Sequence, residues 1–201
     1  IENHPNFEPN HITYDLFRPV HFAAFHGNDN VMKHVLDLPC VEINDNLYET
    51  PIVYAIKANN LQTYNVLKQN PFIDFNVVCR TMFLFALIEQ DWVTQFKTMI
   101  ENRAVDVNIV NKQGLTPLLF AISKKKRAFI HLLINSTRVD ISAQTVYDEN
   151  NCLHFAAIHD DVLTFQQLQG HLSINSKNAA MRTPLHLAVI NDNVEIVEML
   201  S

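Results

Sequence analysis

Glycine is scarce in this chain: only Gly27, Gly114 and Gly170 occur among 201 residues. Phosphate-binding P-loops and dinucleotide fingerprints both need clustered glycines, so neither can be written here. Cysteine is equally sparse. Cys40, Cys79 and Cys152 are odd in number and far apart, which fits a disulfide framework poorly, and no Cys-x-x-Cys motif is present. Reduced thiols of a cytoplasmic or nuclear protein fit that usage. No His-Glu-x-x-His is present. Positive charge is in deficit, and a formal net charge of -6 removes any general attraction to nucleic acid or anionic lipid. No apolar run approaches the ~20 residues of a membrane span. The opening IENHPNFEPN lacks the basic start and apolar stretch of a secretory signal. Because the chain begins with Ile1, it is read as an excerpt of a longer protein.

What remains is apolar and regular. Almost half the residues are hydrophobic and 18% are charged, the balance of a folded domain rather than a disordered one. Six segments align: FRPVHFAAFHGN (17–28), ETPIVYAIKANN (49–60), RTMFLFALIEQD (80–91), LTPLLFAISKKK (115–126), NNCLHFAAIHDD (150–161) and RTPLHLAVINDN (182–193). An alanine recurs at Ala23, Ala55, Ala86, Ala121, Ala156 and Ala188, at intervals of 32, 31, 35, 35 and 32 residues. A small residue at one register lets helices lie close, while Phe22, Tyr54, Phe85, Phe120, Phe155 and Leu187 just before it fill the gap.

Four residues before each alanine stands Pro19, Pro51, Met82, Pro117, Cys152 or Pro184. Proline suits a first helical turn, where its missing N–H costs nothing. Thr50, Thr116 and Thr183 are placed to cap that turn. Nine residues after the proline register come Asn28, Asn60, Asp91, Lys126, Asp161 and Asn193, five of which are good caps for a second helix. The turn between carries Gly27, Asn59, Gln90, Lys125, Asp160 and Asp192. Gln90 and Lys125 suit a left-handed turn poorly, so units 3 and 4 are expected to be strained or to turn differently.

These units resemble the ankyrin repeat, about 33 residues long with a T-P-L-H-x-A signature. RTPLHLA at 182–188 reproduces it in full; VHFAA at 20–24 and LHFAA at 153–157 keep its latter half. The resemblance implies an all-α solenoid of helix-turn-helix units joined by β-hairpin-like loops. It is read as one array over 1–201, with repeats near 17–48, 49–79, 80–114, 115–149, 150–181 and 182–201 and a cap or partial repeat at 1–16. The last helix still offers Val194, Val197 and Leu200, so further chain is expected after it. In the family an Asn opens each loop nine residues before the proline. Asn10, Asn108 and Asn175 keep that distance; Asn44 lies seven before Pro51, Asn76 six before Met82, and Ser142 ten before Cys152.

Residues that hint at chemistry are better explained by structure. His21, His154 and His186 hold the motif position at which the family braces loops and helices. His159-Asp160-Asp161 reads as turn and cap rather than metal site, and Cys152 as packed rather than nucleophilic. No catalytic residue, metal or cofactor is expected. Lys124-Lys125-Lys126-Arg127 reads either as a solvated turn or as a contact for acidic side chains, phosphate or nucleic acid, and it sets cations at a helix start against the macrodipole.

Two residues past the alanine stand Phe25, Lys57, Ile88, Ser123, Ile158 and Ile190. The resemblance implies that this position is exposed on a concave face. Four large apolar groups there form either an extra packing layer or a docking stripe. The candidate partner-binding set is therefore Phe25, His26, Lys57, Ile88, Glu89, Ser123, Lys124, Ile158, His159, Ile190 and Asn191, with Lys112, Gln113 and Arg182 at loop tips. The expected function is non-catalytic binding of another protein by a monomeric module. A regulatory or targeting arm of a larger enzyme or ion channel is the alternative. Nucleic acid is disfavoured as a partner, and membrane insertion is excluded.

Overall fold

The computed structural model describes residues 8–44, 49–74 and 82–200. Cys79, Asn76 and the first seven residues lie outside them. Every regular element among the described residues is a helix, and none is a strand. In chain order they are α1 (Pro19–His26), α2 (Asp29–Leu36), α3 (Pro51–Lys57), α4 (Leu61–Gln69), α5 (Phe83–Glu89), α6 (Val93–Glu101), α7 (Pro117–Ser123), α8 (Arg127–Ile134), α9 (Cys152–Ile158), α10 (Val162–Leu168), α11 (Pro184–Ile190) and α12 (Val194–Leu200). The chain divides into two compact units, Ile1–Asp91 and Trp92–Ser201. In the first, α3 lies between α1 and α5, α1 pairs with α2, and α3 pairs with α4. In the second, α9 lies between α7 and α11, each pairs with the helix that follows it, and α6 packs on α8.

The helices start where proline and caps put them. Pro19, Pro51, Pro117 and Pro184 each open a first helix, with φ already set. Thr116 Oγ1 accepts from Leu119 N–H at 3.3 Å. Thr50 does not cap: its hydroxyl is buried with no hydrogen-bond partner among the described residues. Thr183 Oγ1 instead lies 2.7 Å from His186 Nδ1. Where Cys152 replaces the proline, Asn151 Oδ1 takes the free N–H groups of Leu153 and His154. Asn28, Asn60 and Asp161 cap the second helices, accepting from Val31, Thr63 and Thr164, whereas Lys126 supplies no side-chain cap.

Unit 3 departs from the alignment by one residue. Met82 is the N-cap, α5 begins at Phe83, Asp91 holds the left-handed turn at φ 58°, and Trp92 precedes α6. The small-residue register is therefore filled by Leu87, not Ala86, and both are buried. No proline at 82 fixes the first turn, and FLFALI is apolar on every face, so nothing polar sets its phase. Elsewhere Ala23, Ala55, Ala121, Ala156 and Ala188 are buried as expected. Phe22 is a second correction: it is exposed rather than filling the gap, unlike Tyr54, Phe120 and Leu187.

Turns follow a single register. Asn59, Lys125, Asp160 and Asp192 have φ between 51° and 57°, so Lys125 adopts the conformation despite its side chain. Gly27 does not: its φ is -74°, and a Cβ there would fall 2.4 Å from the Ala23 carbonyl oxygen. Its glycine serves close approach rather than left-handedness. The loops have their own left-handed residue three positions before the proline register, at Leu16, Gly114, Glu149 and Met181.

Side-chain amides tie successive units. Asn10, Asn44 and Asn108 each donate Nδ2–H to a carbonyl about one repeat ahead, at Cys40, Phe72 and Arg138, and accept from the N–H of Glu42, Asp74 and Asp140. Asn44 thus does the same work despite its shorter spacing. A second set runs backwards at the helix turns: Asn60 donates to the Gly27 carbonyl at 2.8 Å and Asn193 to those of Ala157 and Ile158 at 2.6 and 3.0 Å. Motif histidines complete the bracing. His21 Nδ1 accepts from Arg18 N–H at 3.1 Å, leaving Nε2–H to donate to the Glu49 carbonyl at 3.1 Å.

Candidate protein-binding surface

Each first helix ends in a residue that the stack leaves open. With the unit 3 register corrected, the position two past the small residue holds Phe25, Lys57, Glu89, Ser123, Ile158 and Ile190. Phe25, Lys57, Glu89 and Ile190 are exposed, and Ser123 and Ile158 are half-buried. Ile88 is the correction. It is 0% exposed because it stands one position earlier, alongside the buried Ala24, Ile56, Ile122 and Ala157. It belongs to the core and cannot touch a partner.

In the second compact unit, α7, α9 and α11 lie side by side. Their C-terminal ends therefore form a row: Ser123 and Lys124, then Ile158 and His159, then Ile190 and Asn191. Ile190 is 58% exposed. Ser123 donates Oγ–H to the Phe120 carbonyl at 2.8 Å, and Asn191 donates to that of Leu187 at 2.7 Å, so these polar groups first close their own helix ends. Lys124 Nζ lies 5.5 Å from the Phe120 ring centroid, a cation–π distance. Burial lowers the pKa of His159, helped by the Lys125 charge and opposed by that of Asp161. Its ring is consequently kept neutral near pH 7.

The basic run is divided by the fold. Lys124 caps the C-terminal end of α7, where the macrodipole favours a cation, while Lys126 and Arg127 begin α8, where it does not. Arg127 Nη2 lies 3.9 Å from Asp161 Oδ1, so the neighbouring turn brings a carboxylate toward that end of the run. In the first compact unit, Lys57 Nζ is held by both Glu49 oxygens at 2.7 and 2.6 Å. Phe25 and His26 meet edge to face with centroids 4.6 Å apart, and the exposed Phe22 ring stacks near His26.

At the loops, Lys112, Gln113 and Arg182 are exposed. Asn111 Oδ1 accepts from the N–H of Gln113 and Leu115, and Asn178 Oδ1 from those of Ala180 and Arg182. Neighbouring tips are joined by Ala179 N–H to the Asp148 carbonyl at 2.9 Å and Asn178 Nδ2–H to Asn150 Oδ1 at 2.9 Å. These loops also display apolar groups that the sequence reading passed over. Tyr147 is 80% exposed, and Val110, Val146 and Met181 are exposed as well. Their signal was an apolar residue in an otherwise polar loop.

Burial pushes the Cys152 thiol up to about 12, with Asp140 adding to the rise, so no thiolate is offered. His154 is fully buried, and its Nε2 lies 3.0 Å from the Arg182 carbonyl oxygen. Among the described residues no cluster of His, Cys, Asp and Glu is arranged to hold a metal. Among the same residues no helix is long and apolar enough to cross a membrane.

Paired short helices at a constant register, with amides and imidazoles bridging one unit to the next, define a helical repeat module. Ankyrin repeats are present in this chain: a family profile described as "Ankyrin repeats (3 copies)" matches residues 129–201. The crystal structure of the ankyrin repeat domain of Bcl-3 shares the fold, with a TM-score of 0.70 at 18% identity over 94% of this chain and 86% of that one. Among relatives, the human transient receptor potential cation channel subfamily A member 1 is 24% identical over 90% of this chain but only 17% of its own length. The protein VAPYRIN-LIKE of Medicago truncatula is 34% identical over 74% of this chain and 31% of its own length. The chain thus spans less than a third of either relative.

Proposed function

We propose that this chain is a non-catalytic module that binds a partner protein along the ends of its first helices and the adjoining loop tips. The observation that carries this reading is the open position two residues past the small-residue register. It faces solvent at least partly in all six units, and it bears Phe25, Ile158 and Ile190 where a monomer gains nothing from exposed apolar groups. In the second compact unit Lys124, His159 and Asn191 directly follow it with charge and hydrogen-bonding capacity, as at the rim of a protein interface. Ankyrin repeats are protein-interaction modules, which supports the class; the partner and the cytoplasmic or nuclear setting are part of the proposal.

The test is a double variant, Lys124→Glu with Ile190→Ser, compared with the parent by quantitative recovery of co-purifying proteins. Both side chains are exposed, so the thermal melt should fall only slightly, by the ~0.3–1 kcal/mol that a reversed charge costs at the C-terminal end of α7. Recovery of a specific partner should fall by about tenfold or more if these residues are anchors. An unchanged partner profile would contradict the reading.

A second reading is favoured by one observation. The similarity to the human cation channel covers 90% of this chain and 17% of the channel, as expected of a regulatory or targeting arm carried by a larger protein. That reading is compatible with partner binding.

A further inference from the structure

The first loop of the chain builds a pocket of a different character from the row of helix ends. Thr13 N–H donates to the Phe17 carbonyl at 2.9 Å, Phe17 N–H to Thr13 Oγ1 at 3.1 Å, and Leu16 N–H to the Thr13 carbonyl at 2.9 Å. These bonds close the loop, with Leu16 left-handed at φ 65°. Tyr14, Asp15, Leu16 and Phe17 then line a pocket of about 470 Å³ together with Tyr54 of α3. That volume falls within the ~300–1,000 Å³ of small-molecule sites. Phe17 and Tyr54 have centroids 5.0 Å apart with planes inclined at 55°, an aromatic pair in contact that forms the inner side of the pocket. Tyr54 is nearly buried and fixed edge-on to His21 at 5.6 Å, whereas Tyr14 is fully exposed and supplies the outer wall.

Charge at the pocket is negative. Asp15 lies in its lining and has no hydrogen-bond or ion-pair partner among the described residues. The nearby cations are already matched: Arg18 by Glu42 at 2.9 Å, and Lys57 by Glu49 at 2.6 Å. Lys57 Nζ also lies 6.0 Å from the Tyr54 ring centroid, so this ring already faces one cation from within the chain. An aromatic lining with one carboxylate suits a cation that needs no hydrogen bonds and brings apolar surface with it. A bare ammonium is more strongly hydrated and gives up more on entering an aromatic site.

We infer that the pocket of Tyr14, Phe17, Tyr54 and Asp15 takes a quaternary ammonium group, the head of a trimethylated lysine side chain on a protein partner. The lysine source rests on the protein-recognition reading above; the cation chemistry rests on the pocket alone. The full chain is titrated calorimetrically with a short peptide bearing one trimethyl-lysine, with the same peptide unmethylated, with its neutral tert-butyl isostere, and with choline. The trimethylated peptide should bind about fivefold or more tightly than either other peptide, and more tightly than choline. Tyr14→Ala and Asp15→Asn should each weaken it severalfold while leaving the thermal melt unchanged, since both residues are exposed. Equal binding of the tert-butyl peptide would overturn the cation claim, as would no binding of the trimethyl peptide and choline alike. Choline binding as tightly as the peptide would keep the cation site and overturn the protein source.

Discussion

Arg138 is held by Asn108 and in turn closes the end of a helix. The Asn108 Nδ2–H donates to the Arg138 carbonyl at 2.9 Å, and Arg138 Nη1 donates to the carbonyls of Ile100 and Asn102 at 2.8 and 2.9 Å. Its Nη2 reaches the Val105 carbonyl. A cation at the C-terminal end of α6 also complements the macrodipole. Arg138→Lys keeps the charge but loses the planar fork, and should cost about 1–3 kcal/mol. A urea melt checks this; an unmoved midpoint would mean that water replaces the guanidinium without loss.

The loop tips carry backbone strain that glycine would relieve. Glu149 and Met181 sit at φ 53° and 59°, where an L side chain costs about 1–2 kcal/mol and the entropy of a new glycine returns roughly half. Glu149→Gly and Met181→Gly should each raise the melting temperature by a degree or more. Gly114→Ala should lower it, because φ is 74° and the added Cβ would meet Val146 at 3.3 Å. Scanning calorimetry on the three variants decides the sign.

The unit 3 register makes a sharp contrast between two isoleucines. Ile88→Ser removes a fully buried side chain and should cost about 3–5 kcal/mol. Ile190→Ser changes a group that is 58% exposed and should cost about 0.5 kcal/mol or less. Ala121→Leu and Ala156→Leu should overpack by about 1–3 kcal/mol. Equal midpoints for the two isoleucine variants in urea would contradict the one-residue shift.

Much of this was legible because proline, asparagine and histidine each mark a position by a local mechanism. Pro117 starts a helix, Asn60 and Asp161 cap the next, and His21 and His154 brace the following loop. Even the extra residue between Ser142 and Cys152 has its counterpart: Thr145 N–H reaches the Asn150 carbonyl, one residue further on than Asn111 to Leu115. Unit 3 was illegible because Met82 marks nothing and both faces of FLFALI are apolar. Phe22 and Ile88 were misplaced because exposure depends on neighbouring helices, which spacing along one helix does not report. Tyr147 and Met181 escaped notice because loop position carries no periodicity.

Acid should weaken the fold in a predictable direction. Burial lowers the pKa of His154 from 6.5, and that of His159 likewise. Unfolded, both titrate near 6.5, so the unfolded chain binds more protons as pH falls below that value. The stability they contribute is complete above pH 6.5 and declines below it. The melting temperature should drop between about pH 7.5 and about pH 5.5, and the drop should be smaller in a His154→Gln, His159→Gln double variant despite its lower starting value. Parallel pH profiles would assign the acid sensitivity to other groups.

The claim that the first-helix ends form the recognition surface is tested most directly by site-specific photocrosslinking. A photoreactive phenylalanine analogue is placed singly at Phe25, Lys124 and Ile190, and as controls at Gln166 and Glu198, which are exposed on second helices. Irradiation in an extract of the source cells, followed by gel shift and mass spectrometry, reads out the adducts. The account predicts one recurrent protein adduct from the helix-end positions and none from the controls. Adducts from Gln166 and Glu198 alone, or the same adducts at equal yield from all five positions, would contradict it.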